Sequence, residues 1–368
     1  MSIFLLIFPC LAILCAPALW FVLGYPRGLR KATGEIAGAT NISIVIPARN
    51  EEENIRKLLT SLQKQSAKPL EIIAVDDDST DRTTEVSRAL GATVIESGPL
   101  PDGWKGKPRA CHQGARHAKG SWLLFLDADT VLDEDALATL HELSQHDARV
   151  YSLCPYYTIE RPYEEFSAFF NVLMLAGSNA FSPKAEGNPT LFGQCLFLTK
   201  EHYEQVGTHA AVRDQVLENV HLSKEFQRHE IPCTSFLGKG VIHMRMFPDG
   251  MAQLCASWQK GFTNGAAQAH PRALLFSAIW LSGLMFTITS LALLPTPFAD
   301  TNYAFATGAA YLLGVIQCRY TFRLAGNFSS LNALFFPLTL LFYQCLFFTS
   351  LLKQKRGVKT VWKGRPLD

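Results

Sequence analysis

The chain is short of charge. Asp, Glu, Lys and Arg make up 18% of its 368 residues, against roughly a quarter in an ordinary soluble domain. The two signs nearly cancel, Lys+Arg 34 against Asp+Glu 32 for a net charge of +2, so no basic field exists to attract nucleic acid and no nucleic-acid partner is expected. There is no C-x-x-C pair and no Cys/His cluster of zinc spacing. The nine cysteines are odd in number and several sit in apolar runs, as reduced core thiols of a cytosol-facing protein would. Neither G-x-G-x-x-G nor G-x-x-x-x-G-K-[ST] occurs, which disfavours a dinucleotide fold and a P-loop NTPase. Repeats and low-complexity segments are absent. At 48% hydrophobic residues and a mean hydropathy of +0.10, the composition excludes a collagen, a mucin and a disordered tail.

The apolar residues are clustered. Ile3 to Val22 carries no charge and is about long enough to cross a bilayer. Its cations, Arg27, Arg30 and Lys31, follow the run instead of preceding it. That pattern is an uncleaved anchor over residues 1–25, with the following chain cytoplasmic by the positive-inside rule. Three further runs, Ala273–Leu294, Ala304–Cys318 and Leu331–Leu352, assign 273–352 to membrane segments after an interfacial stretch at 246–272. A basic tail, 353–368, carries Lys353, Lys355, Arg356 and Lys359. Four crossings would leave that tail outside, against the charge rule. Pro337 breaking the last run into a re-entrant or interfacial element keeps it cytoplasmic, and that is the expectation. The localisation expected is a multi-pass cell-membrane protein with its hydrophilic domain in the cytoplasm.

From 41 to 245 the pattern changes. Strands are expected at Ile42–Pro47, Glu71–Val75, Ala92–Ile95 and Trp122–Leu126, with helices at Glu51–Gln65, Asp81–Leu90 and Pro108–Ala118. Alternating strands and helices imply βαβ units and a mostly parallel sheet, an α/β class with a Rossmann-like core. Ligands of such sheets bind beyond the carboxyl ends of the strands. Three polar clusters fall there: Pro47-Ala-Arg-Asn-Glu-Glu52, Asp76-Asp-Asp-Ser-Thr-Asp81 and Asp127-Ala-Asp129. Each alone is ordinary, and Thr80 or Asp81 reads equally as a helix cap. Their shared location lifts the site reading. A strand-end carboxylate accepts hydrogen bonds from a base or a ribose. A D-x-D turn offers two carboxylates to Mg²⁺ or Mn²⁺, which share oxygen ligands with a diphosphate.

These motifs resemble the family 2 glycosyltransferases of GT-A fold. Trp104-Lys-Gly-Lys-Pro-Arg-Ala-Cys-His-Gln-Gly114, Pro155-Tyr-Tyr, Tyr163-Glu-Glu-Phe-Ser-Ala-Phe-Phe-Asn171, Arg245-Met-Phe247 with Gly250, and Trp362-Lys-Gly-Arg365 are similar to stretches of the membrane-bound carotenoid glycosyltransferases. The resemblance implies a GT-A domain flanked by transmembrane helices and an inverting transfer of glucose. The donor would be UDP-glucose and the acceptor the carboxyl group of a carotenoid acid such as 4,4'-diaponeurosporenoate. It implies that Asp77 pairs with uracil, that Pro47, Arg49 and Glu51 line the nucleotide cleft, and that Lys107 is the cation beside the nucleotide. Asp127 and Asp129 would hold the divalent cation, Asp129 more directly. Gly193 and Gln194 match an acceptor-side loop, and Trp258 is a further acceptor candidate.

One departure matters. Many members carry Glu-Asp on a helix after the D-x-D and use that Asp as general base. Here the stretch is Val216-Leu-Glu218-Asn219-Val220, and Asn219 cannot take a proton. Either Glu218 is the base or none is needed, because a carboxylic acid of pKa about 4 to 5 is already ionised at neutral pH. The Q-x-x-R-W of processive synthases is missing, since Gln253 and Trp258 are spaced one residue too far apart and lack the Arg. Two alternatives stay open: another lipid acceptor (polyprenyl phosphate, glycerolipid or sphingoid lipid), and a non-catalytic pathway partner. Lys105, Arg109, His112, His117 and His243 read as ordinary surface or core residues. The Phe-rich stretch Phe166–Phe181 is either an interfacial helix or core.

Overall fold

The computed structural model describes residues 2–32, 40–183, 190–215, 217–265, 269–355, 361–362 and 365–366. Val216, Arg356, Lys359 and residues 363–364, singled out above, lie outside them. The chain forms two compact units, one of residues 27–157 and 186–246, the other of residues 1–26, 158–185 and 247–368.

The first unit is built on a seven-stranded sheet. Its strands are β1 (Ile42–Ala48), β2 (Glu71–Asp76), β3 (Thr93–Glu96), β4 (Trp122–Leu126), β6 (Val150–Cys154), β8 (Cys195–Thr199) and β9 (Cys233–Leu237). The order is β3-β2-β1-β4-β8-β6-β9. β1, β2, β3 and β4 are parallel neighbours, and β8 runs antiparallel to β4 and to β6. A small second sheet joins β5 (Thr130–Leu132), β7 (Tyr156–Tyr157) and β10 (Ile242–Met244). The central strands are runs of β-branched and aliphatic residues because helices cover both faces. Ile44 and Ile46 pack toward Ile55, Leu58 and Leu59 of helix Glu52–Gln63, while Val45 and Val75 face Ala110 and Ala115 of helix Gly106–His117. Each such side chain contributes about 1.5–3 kcal/mol by leaving water. Gly114 lets the latter helix touch the sheet, since a Cβ there would come within 2.4 Å of a Val45 methyl. This is the mixed α/β, Rossmann-like GT-A fold.

The four expected strands and three expected helices are present within one or two residues. The strands after β4 were not expected. They are short, and β8 and β6 are buried on both faces, so no alternation marks them.

The second unit is helical. The N-terminal run is not one helix: Ile7–Cys15 passes into a 3-10 turn, Ala16–Leu19, and a last turn, Trp20–Leu23. Pro17 lies in the first turn of the 3-10 piece, where it offers no N–H to continue the helical ladder. Gln317 donates to the Ala16 carbonyl at 2.8 Å and accepts from Trp280 Nε1 at 3.0 Å, tying three helices together. The other long helices are Pro271–Leu293, Thr301–Ala325 and Phe336–Lys355. The final apolar run is broken at Phe335, two residues before the expected Pro337, which sits in the first turn of the last helix. Pro271–Leu293 and Phe336–Lys353 are long and apolar enough to cross a membrane. Within Phe166–Phe181 a helix covers Ala168–Gly177, and Phe169 packs edge-on against Phe322 at 5.3 Å.

Candidate active site

The carboxyl ends of β1, β2 and β4 carry the three polar clusters. The first two loops are tied by short hydrogen bonds. Ser79 Oγ accepts from the Asn50 N–H at 2.9 Å, Asn50 Oδ1 accepts from the Thr80 N–H at 2.7 Å, and Thr83 Oγ1 accepts from the Glu51 N–H at 2.8 Å. Asp81 accepts from the backbone of Thr83 and of Glu52, at 3.0 and 3.1 Å. It is a structural cross-tie. Partial burial raises its carboxyl pKa, but bonds from Thr83 and Glu52 outweigh that and leave it below the ordinary value. Asn50 and Asp78 hold left-handed backbone, φ 51° and 64°, which Asn and Asp tolerate better than other residues with a side chain.

Asp77 is 6% exposed. Arg49 Nη1 stands 3.7 Å from its Oδ2, and Ser97 Oγ donates to its Oδ1 at 3.3 Å. Ser97 is itself held, because its carbonyl accepts from Arg109 Nη2 at 3.1 Å and from Gln113 Nε2 at 3.2 Å. Arg109, set aside above as an ordinary basic residue, therefore supports the loop beside Asp77. Its signal was its place in the Trp104–Gly114 stretch, one helical turn before Gln113.

The D-x-D forms a turn, with the Thr130 N–H and hydroxyl both donating to the Asp127 carbonyl at 3.1 and 2.7 Å. The Asp127 N–H bonds the Gln194 carbonyl at 3.0 Å. Lys107, in the first turn of helix Gly106–His117, reaches Asp127 Oδ1 at 2.6 Å and Glu218 Oε1 at 3.2 Å, and its Nζ is 3.4 Å from the Gly193 carbonyl. Glu218 is 4% exposed and opens helix Glu218–Arg228. Asn219 Nδ2 donates to its Oε1 at 2.9 Å. The same amide fills the space over Gly193, where a Cβ would lie 1.6 Å from Nδ2. Lys107, Asp127, Glu218, Gly193 and Gln194, expected in separate roles from the one resemblance, share one cluster. The Asn219–Gly193 contact was not expected; the Asp-to-Asn departure was its only trace.

Burial, then Asp127, then Glu51 push the Asp129 carboxyl up to about 7, with Lys107 opposing. This crowding of negative charge suits a hard divalent cation, which would reverse it. Among the described residues no group of three or more His, Cys, Asp and Glu is placed to hold a metal, so other ligands would come from diphosphate and water. His243 lies 3.8 Å from Asp133, His112 contacts Thr208 at 2.9 Å, and His117 meets the Gln113 carbonyl at 2.9 Å. Trp258 belongs to the helical unit, where it stacks on Phe170 at 4.6 Å.

Residues 43–207 match the family model described as glycosyl transferase family 2. The chain is 34% identical over 331 residues, 88% of its own length and 87% of the relative's, to 4,4'-diaponeurosporenoate glycosyltransferase of Staphylococcus aureus (strain USA300). It belongs to glycosyl transferase family 2. The corresponding protein of the bovine strain RF122 / ET3-1 is also 34% identical, over 88% of each chain. Among solved structures, this glycosyltransferase is similar to a mannosyltransferase of Pyrobaculum calidifontis in complex with GDP-Man and Mn2+. The TM-score is 0.48 and the identity 20%, over 89% of this chain and 97% of that one.

Proposed function

We propose that this glycosyltransferase moves glucose from UDP-glucose onto the carboxyl group of a carotenoid acid such as 4,4'-diaponeurosporenoate, with inversion, at the cytoplasmic face of the cell membrane. The observation that carries the acceptor is the similarity, over 88% of the chain, to relatives named as 4,4'-diaponeurosporenoate glycosyltransferases. In this reading Asp77, flanked by Arg49 and Ser97, receives the uracil, with Pro47 and Glu51 lining the cleft. Asp127 and Asp129 would hold Mg²⁺ or Mn²⁺, which when bound neutralises the diphosphate leaving group. Lys107 adds a fixed positive charge at the same place.

The reacting carboxylate oxygen attacks C1 of the sugar opposite the diphosphate. The bond from C1 to the diphosphate oxygen breaks, and UDP leaves with the electron pair. No proton has to be removed, because the acceptor is ionised at neutral pH. That is consistent with Asn219 standing where other members have an Asp. Glu218, paired with Lys107 and Asn219, then holds Lys107 in place and need not act as a base. Gly193, Gln194 and Trp258 are the acceptor-side candidates, and the membrane delivers the acceptor.

The test is label transfer in membranes expressing the chain, with UDP-[¹⁴C]glucose, a divalent ion and either a C30 carotenoid acid or total lipid extract. Label on the carotenoid that Asp129→Ala abolishes supports the reading. Label on a polyprenyl phosphate, glycerolipid or sphingoid lipid replaces the acceptor.

A further inference from the structure

We propose that residues 326–355 form a re-entrant hairpin that enters and leaves the bilayer on the side where the chain exits the helical unit, so its exposed apolar side chains meet the lipid tails of one leaflet. This rests on the membrane reading above.

The chain passes between the two units at four places: after Pro26, before Thr158, after residue 185 and before Phe247. A folded polar unit stays on one side of a bilayer, so these four places mark one face of the helical unit. Contacts within that unit agree. The Tyr25 N–H donates to the Phe181 carbonyl at 3.0 Å, and the Tyr163 hydroxyl donates to the Phe247 carbonyl at 2.6 Å.

The hairpin starts at this face. Asn327 Oδ1 accepts from the N–H of Ile159 at 2.6 Å, next to the second crossing place. The Glu165 carboxylate accepts from the Ser329 N–H at 3.0 Å and from Asn332 Nδ2 at 2.6 Å. The chain then descends. The Phe336 ring stacks on Tyr311 at 5.6 Å, and a Cβ on Gly314 would lie 3.1 Å from it. From Ala325 back to Gly314 is about 16 Å of helix at ~1.5 Å per residue, roughly half of a ~30 Å hydrocarbon core.

At this depth the helix breaks. Phe335 takes φ −96°, ψ 31°, and Pro337 offers no N–H. A break in hydrocarbon is tolerated only where the freed backbone groups find partners. The Tyr311 hydroxyl donates to the Leu334 carbonyl at the bend.

The last helix then returns. Phe342 meets Phe166 at 4.9 Å and Tyr343 meets Phe170 at 4.8 Å. Ser350 Oγ donates to the Gln259 carbonyl at 3.0 Å, and Lys353 Nζ to Gln259 Oε1 at 2.8 Å. Gln259 adjoins Trp258, whose ring lies 5.9 Å from Phe247 at the fourth crossing place. Both ends therefore reach the same face. Leu331, Leu334, Phe335, Leu338, Leu341 and Phe348 remain exposed along the arms and bend, as lipid-facing residues do. Lys353, held by Gln259, then falls on the cytoplasmic side, which is what the charge rule requires.

The test inserts one epitope tag after Pro297, or after Asp368, in the full chain, and probes right-side-out spheroplasts and inverted vesicles with protease. The Pro297 tag should be cut from outside, and the Asp368 tag only in inverted vesicles. An Asp368 tag cut from outside, with the chain still in carbonate-washed membranes, overturns the hairpin and leaves the membrane reading standing. Recovery of the whole chain in the soluble fraction overturns both.

Discussion

The Lys107 ammonium stands 3.2 Å from the Glu218 carboxylate while closing to 2.6 Å on Asp127, so one cation joins the D-x-D turn to the helix that opens with Glu218. The two carboxylates arrive from distant parts of the chain, and each would repel the other without it. Lys107→Met should therefore cost more than a phosphate contact. It leaves a buried Glu218 without its cation, a loss of about 1–3 kcal/mol in stability after allowance for partial exposure. Transfer should fall on the order of 100-fold or more. Chemical denaturation and initial rates at saturating donor check the two effects separately.

Gly193→Ala should damage the site through Asn219, whose amide occupies the space a Cβ would take. Activity should fall at least about tenfold, as expected when a site is displaced by a fraction of an ångström. Asn219→Ala in the Gly193→Ala background removes the clash and should restore part of it. If the double variant is no better than Gly193→Ala alone, the contact is not the cause.

Glu218→Gln tests whether a base is used. A general base contributes about 10²- to 10⁴-fold. With an acid acceptor, Glu218→Gln should lose less than that, and its rate should stay flat from pH 6 to 8. A thousandfold loss, with Asn219→Asp leaving acceptor preference unchanged, would make Glu218 the base.

The loop tie at Asp81 carries a pH signature. Its carboxyl pKa is lowered on folding, so the tie stabilises the fold above the unfolded value of about 3.9 and is lost as pH falls through the lower folded value. Asp81→Asn should melt below the parent at pH 7, and the gap should shrink below about pH 4. A gap that is constant with pH would assign the loss to geometry.

Removing divalent ions should abolish transfer without unfolding the protein, because Asp127 and Asp129 sit on a turn held by backbone bonds to Gln194 and Thr130. Chelator followed by Mg²⁺ or Mn²⁺, with circular dichroism alongside, checks this. Unchanged activity in chelator would exclude the cation.

The half of the catalytic unit that repeats strand and helix was legible, because buried parallel strands such as Ile42–Ala48 are apolar runs ending in polar loops. The three clusters could be placed at strand ends for the same reason. The antiparallel part was not legible. Cys195–Thr199 is a short run without alternation, and only its partners β4 and β6 give it a place. The site was legible residue by residue but not as contacts. Nothing along the chain says that Asn219 lies over Gly193 or that Arg109 holds Ser97, since these depend on how helices Gly106–His117 and Glu218–Arg228 meet the sheet. In the helical unit, apolar length and a break near Pro337 were visible, whereas nothing along the chain says that Tyr311 caps the bend at Phe335.

The central claim is that the sugar goes to a carboxyl group. The most direct measurement offers purified, detergent-solubilised protein UDP-[¹⁴C]glucose and a divalent ion with a carotenoid acid or its matching alcohol, then treats the product with hydroxylamine. Label on the acid only, released by hydroxylamine as expected of a glucosyl ester, is the predicted result. A hydroxylamine-stable glycoside on the alcohol, at a rate equal to or above that with the acid, would contradict it.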